Sequence, residues 1–112
     1  MLQGEQVSTA IRAQGHAVVL SMDMEGNIAD PERIANGCVA VVEWASSEVS
    51  MIIDKCAALV AERGGLTCHC AIRLREARKP GVFNVDSATK IIRYGDLVII
   101  EGTRVMVVRV ID

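Results

Sequence analysis

The stretch AALVAERGGLTCHCAIRLREARKPGVFNV, residues 57–85, reads as strand, turn, helix and strand in succession. Residues 57–61 are an apolar run of the length of a buried strand, and Glu62-Arg63-Gly64-Gly65 hands the chain into a glycine turn. A helix then opens near Thr67 and is sustained by Ala71, Leu74 and Ala77. Lys79-Pro80 closes it, because the residue before a proline is pushed out of helical geometry. Residues 82–85 resume as a strand. A helix between two strands is a unit of mixed α/β folds.

Working outward, residues 16–22 (HAVVLSM) and 38–44 (CVAVVEW) are apolar runs that predict strands. Residues 23–37, with Gly26-Asn27 and Asp30-Pro31, predict turns and at most one short helical turn. Ser46 or Ser47 suits an N-cap, Glu48 falls in the first turn, and Val49, Ile52, Ile53 and Cys56 repeat at helical spacing. An amphipathic helix is therefore expected over residues 47–56. Downstream, residues 88–92 predict a helical turn before Tyr94-Gly95-Asp96. The end reads as a hairpin: a strand over 97–101, the turn Gly102-Thr103-Arg104, and a strand over 105–111. The expected fold class is α/β, a compact β-rich core with packed helices.

The chain has 112 residues, 51% of them hydrophobic, which suits one domain over residues 1–112 with a genuine core. Trp44, Phe83 and Tyr94 are its aromatic residues, so aliphatic side chains must fill that core. With 12 basic against 14 acidic residues, no field of one sign points to a nucleic-acid or membrane partner. Any phosphate chemistry must be local. Residues 1–17 do not resemble a signal peptide, and no run approaches the ~20 apolar residues of a membrane span. A soluble, cytoplasmic chain is expected, with Cys38, Cys56, Cys68 and Cys70 as reduced thiols.

The chemistry concentrates at Gly64-Gly65-Leu66-Thr67-Cys68-His69, where a glycine turn sets a histidine in the first turn of a helix. Unpaired N–H groups and the positive end of the helix dipole favour an anion there, so a phosphate on His69 would be stabilised in place. Neutral imidazole is nucleophilic, and the phosphoramidate it forms stays reactive enough to pass its phosphoryl group on. Gly64 and Gly65 are expected to take positive φ and to leave no side chain in a partner's way. Cys68 completes the phosphate-stabilising turn. Thr67 either caps the helix or orients the imidazole. Arg73 and Arg75 are candidates for phosphate or docking contacts, within a basic stretch that includes Arg78 and Lys79. A solvated basic face is the alternative for Arg73, Arg78 and Lys79.

A Cys-His-Cys triplet invites a zinc reading, but consecutive residues of a helical turn point ~100° apart and cannot all close on one ion. No paired C-x-x-C supplies the missing ligands, so no metal site is expected. His16, at a strand start without a partner motif, reads as an edge or core histidine. From the residues alone, a histidine after two glycines is more commonly structural than nucleophilic.

The run GGLTCHCAIRLREARKPGVFNVDSATKIIRYGDLVIIEG, residues 64–102, alters that balance. It resembles the swivelling phosphohistidine domain shared by pyruvate phosphate dikinase, phosphoenolpyruvate synthase and enzyme I of the sugar phosphotransferase system. Gly64, Gly65, Thr67, Cys68, His69, Ala71, Ile72, Arg75, Glu76, Pro80, Val82, Ala88, Thr89, Gly95 and Gly102 stand where that family's pattern has them. Gly4, Ser8, Gly15 and residues 39–53 match more loosely. Cys70 replaces a usual Ala, Arg73 an aliphatic residue and Arg78 a Gly near the helix end. Gly81 and Glu101 stand for a common Ala and Asp, and Val105 falls near another frequent Gly.

The resemblance implies a swivelling β/β/α domain in which His69 is phosphorylated, with Thr67, Gly64, Gly65 and Cys68 around it. Its partners would be nucleotide-binding or phosphoenolpyruvate- and pyruvate-binding domains, or a phosphocarrier protein. No cofactor is expected on this chain alone; Mg²⁺ is expected in the partner catalytic domains. A phosphotransferase component that does not turn over alone follows, since no Walker-type loop or acidic metal-binding cluster is present in the sequence. The alternative is a binding or regulatory module that keeps the fold without phosphoryl transfer.

Overall fold

Among residues 2–109, which the computed structural model describes, the elements are β1 (Leu2–Gln3), β2 (Glu5–Gln6), β3 (Arg12–Val19), β4 (Cys38–Trp44), β5 (Cys56–Arg63), α1 (His69–Ala77), β6 (Gly81–Phe83), α2 (Ala88–Ile91), β7 (Leu97–Glu101) and β8 (Arg104–Val108). Short 3-10 turns lie at Pro31–Arg33 and Val49–Ile52. The strands form a sheet in the order β1-β8-β7-β3-β4-β5-β6-β2. β3 belongs to both halves of it: residues 12–16 pair antiparallel with β7, and residues 17–19 pair parallel with β4.

The two halves fold over one another. Val39, Val41, Ala58 and Val60 of the parallel half share one buried cluster with Val98, Ile100 and Val105 of the antiparallel half. On the opposite face Ala40, Val42, Leu59 and Ala61 pack with Cys70, Ala71 and Leu74 of α1. Sheet on sheet on helix is the β/β/α layering that the resemblance implies. Burial on both faces demands a continuous apolar run rather than an alternating one, and Val39 to Val42 are fully buried. Each of the three valines, Val39, Val41 and Val42, stabilises the fold by roughly 1.5–3 kcal/mol relative to exposure. No helix among the described residues is long and apolar enough to cross a membrane.

Several boundaries differ from the expectation. In place of a helix over 47–56 there is only the 3-10 turn Val49–Ile52, and Cys56 opens β5 opposite Cys38. The apolar spacing does mark a buried face, since Val49 and Ile53 are buried. β-Branched Val49, Ile52 and Ile53 are weak helix formers, and a strand is the stronger claim on Cys56. β3 begins at Arg12 and stops at Val19, where residues 16–22 were expected; its first half alternates exposed and half-buried residues against β7. β6 stops at Phe83 because Asn84 turns at φ 60. α1 begins at His69 rather than near Thr67 and ends at Ala77. In the last hairpin Arg104 already pairs with Glu101, and residues 110 and 111 of the expected strand lie outside the described residues.

Candidate functional site

β4 and β5 run parallel and side by side, with Trp44 opposite Arg63, and the loops leaving these strand ends build the site. After Arg63 the chain turns, the Cys68 amide donating to the Gly65 carbonyl at 3.3 Å. Cys68 holds extended backbone at the N-cap position and His69 is the first helical residue, exposed to solvent. The Ile72 amide donates to the Cys68 carbonyl at 3.1 Å, which leaves the amides of His69, Cys70 and Ala71 without an intrahelical acceptor. No side chain caps α1, so the capping alternative for Thr67 is not realised. Thr67 instead lines, with Trp44, Ser46, Cys68 and His69, an open cleft of about 340 Å³.

The two glycines differ from the expectation. Positive φ occurs at Gly26, Gly37, Gly95 and Gly102, and at neither Gly64 nor Gly65. Gly64 is a packing glycine: a Cβ there would meet the Phe83 ring at 2.6 Å and the Ala45 Cβ at 3.0 Å. Gly65 faces open space, with nothing within 4 Å of where its Cβ would stand. Only its second expected property, an unobstructed approach, is realised.

Tertiary contacts hold this turn. The Asn84 side chain donates to the Gly64 carbonyl at 3.2 Å, and the Ala45 amide donates to the Arg63 carbonyl at 2.9 Å. Glu62 receives both the amide of Thr89, at 2.8 Å, and its hydroxyl, which ties α2 to the end of β5. Buried Ser46 donates to the Gly26 carbonyl at 2.7 Å and accepts from the Val49 amide at 3.4 Å. The Cys70 thiol donates to the Ser46 carbonyl at 3.1 Å, and burial pushes it up to about 12. Cys70 is thus a helix anchor. Asn84, Glu62 and Ser46 carry no local pattern linking them to the turn.

Arg73 and Arg75 of α1, and Lys79 just beyond it, are engaged within the chain. Arg73 bridges Asp54 at 2.6 Å and Glu76 at 3.4 Å. Arg75 donates to the Val7 carbonyl at 2.8 Å, and Lys79 to the carbonyls of Ile53 and Asp54 at 2.8 and 2.9 Å. Arg63, by contrast, lines a cleft of about 480 Å³ with Met24, Trp44, Gly64 and Gly65. Trp44 borders this cleft and that of His69, so the two meet at its ring. Among the described residues no three His, Cys, Asp or Glu side chains gather where a metal ion could sit. His16 is exposed on β3, opposite Leu97.

Comparison with known proteins gives this geometry a context. The model of the family described as PEP-utilising enzyme, mobile domain, matches residues 34–105. A probable phosphoenolpyruvate synthase of Pyrococcus abyssi is 31% identical over 107 residues, 96% of this chain and 12% of that protein. The phosphoenolpyruvate synthase of Escherichia coli is 34% identical over 86 residues, 76% of this chain and 11% of the enzyme. A pyruvate kinase of Sporosarcina psychrophila is 34% identical over 83 residues, covering 74% of this chain and 14% of its own. The chain thus spans a small fraction, 11–14%, of the length of these relatives. In structure, enzyme I (nEIt) aligns with a TM-score of 0.57 at 25% identity, over 64% of this chain and 31% of that one. Aconitase X of Thermococcus kodakaraensis aligns at 0.70 over 96% of this chain and 98% of that one, at 20% identity, a likeness of fold alone.

Proposed function

The chain belongs to the PEP-utilising enzyme mobile-domain family, and from that membership we propose that it is a cytoplasmic phosphoryl carrier on which His69 is transiently phosphorylated. The observation that carries the reading is the exposed His69 at the first position of α1, beside amides that lack an intrahelical acceptor. A ring nitrogen of His69 attacks the phosphorus of a donor, and the N–P bond forms as the bond from phosphorus to the leaving oxygen breaks. The oxygen departs with the electron pair. In the second half-reaction an acceptor oxygen attacks the same phosphorus, the N–P bond breaks and the ring recovers its pair.

The residues around His69 serve these steps. Helix-start amides offset the negative charge of the bound phosphate, and the Thr67 hydroxyl, in the same cleft, orients the ring or a phosphate oxygen. Cys68 sets the extended entry into α1, Gly64 fits the turn against Phe83, and open space at Gly65 admits a partner. Arg75 and Arg73, both bonded within the chain, shape the docking face rather than reach the phosphate. Donor and acceptor sites belong to nucleotide-binding and phosphoenolpyruvate- or pyruvate-binding domains, or to a phosphocarrier protein. Mg²⁺, held by those partners, supplies charge neutralisation at the donor.

The test is incubation with phosphoenolpyruvate, Mg²⁺ and a cognate barrel domain, followed by intact mass and peptide mapping. Acid-labile phosphate on His69, lost in His69→Ala, is expected. A chain that stays unmodified under conditions that load a relative's domain would favour the second reading, a binding or regulatory module. The pyruvate kinase relative motivates that alternative.

A further inference from the structure

At the opposite ends of the two strands that deliver the site, Cys38 opens β4 and Cys56 opens β5. The two residues are paired in the parallel register, and their sulfurs lie 3.8 Å apart, both side chains buried. Neighbouring strands run about 4.8 Å apart, inside the Cα separation that a disulfide spans. The register shifts between Cys38 and Val39, with Ala57 the extra residue on β5, a local irregularity that gives the backbone beside Cys56 room to adjust. We propose that Cys38 and Cys56 form a peroxide-sensitive dithiol, closing to a disulfide that staples the starts of the two site-bearing strands.

Access and polarity favour the step at Cys38. It lines a surface cleft of about 310 Å³ with His16, Gly37, Tyr94 and Gly95, large enough for a small oxidant. Contact with Cys56 pulls the Cys38 thiol below the usual thiol range, while the same contact and burial push that of Cys56 up. The Cys38 thiolate attacks one oxygen of hydrogen peroxide, the O–O bond breaks, and a sulfenic acid forms with loss of hydroxide. The Cys56 sulfur then attacks Cys38 Sγ as its proton leaves, and the S–O bond breaks to release a second hydroxide. Two thiols and one peroxide become one disulfide and two waters. Cys70 does not compete, since its buried thiol is bonded to Ser46.

The experiment treats the full reduced chain with graded hydrogen peroxide, then measures intact mass, free thiols and non-reducing peptide maps. The expected result is a loss of 2 Da, two of the four thiols consumed, and a linked peptide pair containing Cys38 and Cys56. Dithiothreitol should reverse it, and the oxidised chain should melt several degrees higher. Cys38→Ser and Cys56→Ser should each abolish the mass loss, whereas Cys68→Ser should retain it. The map of the native chain decides the matter even where a variant folds poorly. Oxygen addition at Cys68, a Cys68–Cys70 link or a dimer joined by Cys68, with Cys38 and Cys56 still free, would overturn the proposal.

Discussion

Asn84, left-handed at φ 60, reaches from the end of β6 to donate to the Gly64 carbonyl at 3.2 Å and to Glu5 at 2.9 Å. The turn ahead of His69 is therefore held from a distant part of the chain. Asn tolerates this backbone better than most residues. Asn84→Gly keeps the conformation and removes the clamp. It should cost about 1–2 kcal/mol in chemical denaturation, for two side-chain bonds lost. Phosphorylation of His69 by a partner domain should slow more than that loss of stability explains, and an unchanged rate would show that the turn holds itself.

The glycines separate packing from access. Gly64→Ala drives a methyl into Phe83 and Ala45 and should destabilise the fold by about 1–3 kcal/mol. Gly65→Ala, facing open space, should change stability by less than about 0.5 kcal/mol. Gly65→Val should slow labelling by a partner domain without unfolding the chain. Melting curves and labelling rates on the three variants check this, and equal melting losses at both positions would contradict it.

Arg78 is the C-cap of α1, left-handed at φ 56 and ψ 44. A side chain there strains the backbone, and its amide already bonds the Arg75 carbonyl at 3.2 Å. Arg78→Gly should stabilise the domain by about 0.5–1 kcal/mol. The midpoint of urea unfolding is the readout, and a fall in it would mean that the arginine side chain contributes more than the strain costs.

Buried Asp96 accepts from Arg109, at 3.2 and 3.0 Å, and from the Arg93 amide at 2.8 Å. The Arg109 bond, more than any other contact, holds its carboxyl below the usual carboxylate range. The folded chain therefore binds this proton less readily than the unfolded chain. The linked stability is complete above the ordinary carboxylate range and is lost as pH falls through that range to the lowered value. Asp96→Asn should lower Tm near neutral pH, and the gap to the native chain should close in acid. A gap that stays constant with pH would assign the loss to packing.

The parts of this architecture that sequence discloses are those with a local cause. β4 opens on an unbroken apolar run, residues 38–42, the Gly102 turn has its own chemistry, and His69 follows a glycine turn into a helix whose apolar residues recur. β1 and β2 are two residues each, too short to carry a period. The first half of β3 is a strand because β7, far along the chain, pairs with it. Gly64 was expected to matter for its conformational freedom and matters for the Phe83 ring beside it. Glu62 and Ser46 enter the site only when the chain folds, through contacts with Thr89 and Cys70.

Trp44, where the His69 and Arg63 clefts meet, is the chain's only tryptophan and is 41% exposed. The molecule therefore contains an optical reporter on the border of the His69 cleft. Indole emission shifts to shorter wavelength when water leaves the ring, so covering of this edge registers as a spectral change with no label attached. Loading of a phosphate and arrival of a partner are then separable in time, by following fluorescence alongside mass in a single stopped reaction.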